Sequence, residues 1–76
     1  MTTDQIKTQI ATAYAMAIAA KHATDSNSTL CLTDAQACYD RGDMKHAYNR
    51  SVDSLAHSVG RRHADYLEVA AMERPA

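Results

Sequence analysis

The chain has 76 residues, 46% of them hydrophobic, with neither Phe nor Trp and a formal net charge of −1. A chain of this length makes one domain with a thin core, because so small a domain buries only about 60% of the surface its unfolded chain exposes. Its near-neutral balance lacks the basic face that a nucleic-acid binder concentrates, and no run of the sequence reaches the 18 or more apolar residues of a membrane span.

A first helix is expected over about residues 4–23. Thr2 and Gln5 have the Ser/Thr-x-x-Glu/Gln spacing by which two side chains satisfy orphan backbone donors at a helix start. Ile6, Ile10, Ala13, Ala17 and Ala20 fall on one helical stripe, widened on a flank by Tyr14 and Ile18. Such a small-residue face lets a neighbour approach closely. The apolar run Ala11 to Ala20 is amphipathic in phase and comes after a polar segment, so it reads as a helix face and not as a secretory leader. A reducing cytoplasm is the expected compartment, with both cysteines as thiols. Thr24-Asp25-Ser26-Asn27-Ser28-Thr29 reads as a loop, since short polar side chains compete with helical hydrogen bonds.

A short second helix is expected over about residues 30–41, capped by Ser28 or by Thr33, with Leu32 as a hydrophobic staple. Gly42 then supplies a left-handed cap and Asp43 caps the next helix, which makes Arg41-Gly42-Asp43 a turn. From Tyr48 onward the larger side chains hold one phase: Tyr48, Val52, Leu55, Val59, Arg62, Tyr66 and Val69, alternately four and three apart. That is a heptad seam. Because the phase survives Gly60, the spacing predicts one long helix over about residues 43–73, roughly 45 Å at 1.5 Å per residue. Arg62 would sit polar within the seam, setting register or meeting an acidic partner. Arg74, Pro75 and Ala76 are expected to fray.

A rod of that kind cannot bury its own stripe. The fold expected is all-α, with short N-terminal helices packed on one long C-terminal helix as a hairpin, residues 1–76 forming one domain in a homodimeric helical bundle. Tyr48, Val52, Leu55, Val59, Tyr66 and Val69 would supply self-association or core.

Catalytic and metal chemistry find little footing. Cys31 and Cys38, seven apart, would lie about 10 Å apart along a helix axis, too far for a disulfide. His57 and His63 are six apart, and His22 and His46 stand in separate segments, so no close pair of zinc-ligand spacing exists. No metal and no cofactor is expected. Asp53, Ser54, His57 and Ser58 can be named within one turn, but one helix surface lacks the buried acid and oxyanion hole of a triad. Asp53 is expected to pair with His57, and Arg61 with Asp65. No enzyme is expected.

The segment Ala35-x-x-Cys38-Tyr39-x-x-Gly42-Asp43-Met44-x-x-Ala47, continuing to Ser54-Leu55-Ala56, resembles a tetratricopeptide-type helical hairpin, with a Gly-Asp turn and small residues at the crossing. One copy is present, where that family stacks several. The resemblance implies a hairpin and function through surface contact. In size, alanine content and absence of a catalytic motif the chain is also similar to small phage-encoded, all-helical inhibitors of host machines. That likeness implies a molecule that binds a larger protein and blocks or tethers it. Tyr39, Arg50, Arg61, Arg62 and Met72 are the candidate contact residues, tyrosine and arginine being enriched at interface hot spots. The rival expectation is a helix-turn-helix around Gly42 whose Arg50, Arg61 and Arg62 touch phosphates.

Overall fold

A computed structural model describes residues 1–75. It contains four helices among the described residues: α1 (Thr3–His22), α2 (Ser26–Asp40), α3 (Met44–Ser58) and α4 (Ala64–Ala70). The all-α class is therefore observed. The body measures 35 × 23 × 17 Å, so α1, about 30 Å long at 1.5 Å per residue, nearly spans it.

Local chemistry sets most of the helix ends. Thr2 and Gln5 form the expected capping box, with Gln5 N–H donating to Thr2 Oγ1 at 3.1 Å and Thr2 N–H to Gln5 Oε1 at 2.8 Å. Of the polar run after α1, Thr24 and Asp25 lie outside any helix as expected, but Ser26 to Thr29 open α2 instead of continuing a loop. Asp25 caps α2 by accepting the Ser28 N–H at 2.7 Å, while Ser28 Oγ accepts the Asp25 N–H at 3.2 Å. Neither Ser28 nor Thr33 is the cap; Thr33 lies inside α2 and returns its hydroxyl to the Thr29 carbonyl. A side chain that can stabilise a turn can equally start a helix, and here it starts one.

Gly42 takes φ +83 and closes α2 as expected, with Gly42 N–H donating to the Tyr39 carbonyl and Asp43 N–H to the Cys38 carbonyl. Asp43 then caps α3. The hairpin α2–turn–α3 that results is the most extensively packed helix pair of the molecule.

The long helix over residues 43–73 does not form. The α3 helix stops at Ser58, Gly60 adopts φ +86, and after a turn the seven-residue α4 begins. The apolar seam folds back on itself across that turn. Tyr48, Leu55 and Val69 are fully buried in one cluster with Val52, Ala15 and Ala19, and the Tyr48 hydroxyl donates to the Val69 carbonyl. Val59, Tyr66 and Met72 pack half-buried against the same cluster. Within a single copy, much of the strip is thus buried against the chain's own helices. Arg62 is exposed beside the turn and not in a seam. The tail also returns: the Arg74 guanidinium lies 6.0 Å from the Tyr48 ring centroid and Pro75 is buried, while Ala76 falls outside the described residues.

Polar groups inside the body are matched. Ser54 Oγ donates to the Ser28 carbonyl at 2.8 Å, tying α3 to α2, and Ser51 and Thr12 return their hydroxyls to carbonyls one turn back. Among the described residues no buried side-chain polar atom lacks a partner.

Candidate functional site

The α1 helix packs on α3 through Thr12, Ala15 and Ala19, which are all fully buried. Residues about 100° apart per step put Ile6, Ile10, Ala13, Ala17 and Ala20 on the opposite side of that helix. All five are exposed, Ile10 to 65%. The expected stripe is real, but it faces outward; the buried face is built from alanines and a threonine whose hydroxyl is satisfied by the Thr8 carbonyl at 2.8 Å. Of the two residues that widened the stripe, Tyr14 is exposed and Ile18 packs half-buried on the core. Tyr14 donates to the Glu68 carboxylate of α4, and that hydrogen bond, with the negative charge beside it, raises the phenol above its ordinary pKa.

Contact between α1 and α2 is sparse, and the space between them is a groove of about 360 Å³. Its walls are Ala13, Met16, Ala17 and Ala20 from α1, with Leu32, Gln36 and Tyr39 from α2. Gln36 donates to Asp40 at 2.9 Å, and among the described residues no charged side chain lines the groove. The floor is alanine, so a bulky side chain entering from outside meets little obstruction. Tyr39, singled out in the sequence, stands at one end of it.

The other expected contact residues are scattered. Arg50 is half-exposed and pairs with Asp53 at 3.5 Å and with Asp34 at 4.0 Å. Arg61 and Arg62 flank the Gly60 turn, both exposed, beside a shallow concavity shared with Asp53 and His57. Met72 belongs to the rim of the core. Asp53 thus faces Arg50 and not His57, and Asp65 faces His22 and not Arg61.

Nucleophilic groups are quiet. Ser54 is buried and spends its hydroxyl on Ser28, and Cys31 and Cys38 are free thiols, with burial pushing the Cys31 thiol up and so away from its reactive form. Cys38 is buried among helix contacts, as a small apolar residue would be.

One cluster escaped the spacing rules. His22 at the end of α1 meets Asp65 of α4, Nε2 to Oδ2 at 2.5 Å, and His63 caps α4 by accepting the Asp65 N–H at Nδ1, 3.0 Å away. The two imidazoles stand edge to face with centroids 5.2 Å apart. The hydrogen bond from His22, with the nearby positive charge of Lys21, holds the Asp65 carboxyl below its ordinary range. Segments so far apart in sequence give no local signal of this meeting; only the fold supplies it.

Compared with family models, characterised proteins and solved structures, the chain matches none. Among the described residues no helix is long and apolar enough to cross a membrane.

Proposed function

We propose that this chain is a non-enzymatic binding module that grips a larger protein through the outward face of α1 and the groove beside it, and so blocks or tethers that protein. The observation that carries the reading is the double-sided α1: Ala15 and Ala19 are spent on the core, while Ile6 and Ile10 remain exposed on the other side with Ala13, Ala17 and Ala20, which line an uncharged groove. Exposed large apolar residues at helical spacing mark interaction surfaces when they lie together. The ligand that suits a groove between two helices is an amphipathic helix offering anchors three and four residues apart.

A second reading keeps the homodimer but moves it. Two copies would join through the same α1 face, whose small residues permit close helix approach. Light scattering at micromolar concentration separates the two, a dimer mass favouring the second and a monomer mass the first.

The larger-protein reading is tested by capture from the native host with two variants, Ala17→Arg and Ile10→Asp. Both positions are exposed, so each variant should keep the helical circular dichroism of the parent. Retrieval of the partner is expected to fall at least about tenfold in both, the equivalent of 1.4 kcal/mol. Equal retrieval by both variants, or loss on Arg61→Ala with Arg62→Ala instead, would transfer the interface elsewhere.

A further inference from the structure

His22, His63 and Asp65 are not used by the α1 face, yet each offers a metal-ligating atom, and those atoms all lie within 4.8 Å of one another. We propose that these three side chains bind a single divalent transition-metal ion of the zinc class, which pins the start of α4 to the end of α1.

The donor set fits. Imidazole nitrogen and carboxylate oxygen are the ligands zinc takes at about 2.0–2.2 Å, which puts neighbouring donors of a tetrahedral shell about 3.4 Å apart. The present separations lie on both sides of that value, from 2.5 Å between His22 and Asp65 to the 4.8 Å limit of the group. Relative shifts of up to about 1.4 Å between the donor atoms, within reach of side-chain rotation, bring the three into a shell. His63 is exposed while His22 and Asp65 are half-buried, so the remaining position opens to water.

A salt bridge alone would need one imidazole. The second ring meets the first edge to face, and a nitrogen of it lies within 4.8 Å of the same carboxylate, a donor that the ion pair does not use. His63 does carry one other duty, the cap of α4. Binding through Nδ1 displaces the Asp65 N–H, and binding through Nε2 places the ring proton on Nδ1; on both routes the ion takes over the cap's task of fixing the start of the helix. The ion also answers a structural need. The α1 and α4 helices touch little, and a chain this short gains from a metal clip that joins distant segments.

The test is calorimetric titration of the full chain with zinc chloride, paired with thermal melting. One ion per chain is expected, with a rise in Tm that a chelator reverses. Asp65→Asn, His63→Ala and His22→Gln should each weaken zinc affinity by at least the roughly 10–100-fold that loss of an outer-shell partner costs. His46→Ala and His57→Ala should leave it unchanged. Cobalt substitution supplies a readout that does not depend on stability: intense d–d bands without a thiolate charge-transfer band support the site. A thiolate band would assign the ion to Cys31 or Cys38, and undiminished binding in His22→Gln and His63→Ala would assign it to the general surface. Either result, or no saturable binding at high micromolar zinc, overturns the proposal.

Discussion

Gly60 stands at φ +86, with nothing within 4 Å of where a Cβ would be placed. The space is open, so an alanine there would suffer only from its backbone. An L-residue forced into the left-handed region costs roughly 1–2 kcal/mol. In an uninterrupted helix the same change would remove a glycine penalty and stabilise by about 1 kcal/mol. Gly60→Ala therefore has opposite signs in the two architectures, and urea denaturation is expected to show a lowered midpoint. The residue-level signal was ambiguous because phase is conserved on both sides of the break. Tyr66 and Val69 must be apolar to pack on Tyr48 and Leu55 whether they arrive along a straight helix or by folding back. Spacing alone records that they are buried, not which route brings them there.

The helix ends were legible where their chemistry is local. Thr2 with Gln5, Gly42 and Asp43 each act within a few residues of their own position. Two of the caps also make a pH prediction. The Ser28 backbone N–H holds the Asp25 carboxyl below the ordinary carboxylate range, and the His46 backbone N–H does the same for Asp43. In the unfolded chain both return to ordinary values, so on acidification the unfolded state takes up protons first. The stability these caps contribute is complete above the unfolded pKa and is lost as pH falls through the folded one. The urea midpoint should fall below about pH 4, and the double variant Asp25→Asn with Asp43→Asn should give a flatter profile there. An equally steep fall in the variant would mean that other groups carry the acid sensitivity. The phase of α1 was not legible for the opposite reason: it is set by a neighbour. Ranking by size places Ile6 and Ile10 inside, whereas α3 approaches closely enough to demand Ala15 and Ala19. The isoleucines are left outside, and that misassignment is what exposes the candidate surface.

At the scale of the molecule, the all-helical class followed from an alanine-rich, glycine-poor sequence, while the seam from which assembly was inferred supplies the single chain's own core. The His22–His63–Asp65 group was equally invisible, since its members come together only when α4 folds back toward α1. The decisive side chain is Leu55, fully buried where α1, α3 and α4 meet. A 76-residue domain has about 4–11 kcal/mol of total stability at typical per-residue values, and Leu55→Ala should remove about 2–5 kcal/mol of it. If Leu55 worked between chains, its loss would be repaired by mass action, and the variant's urea midpoint would climb with protein concentration. Since it packs within one chain, the midpoint is expected to drop by the same amount across a hundredfold range of concentration. A concentration-dependent midpoint would return the seam to an interface and move the core of this protein outside the single chain.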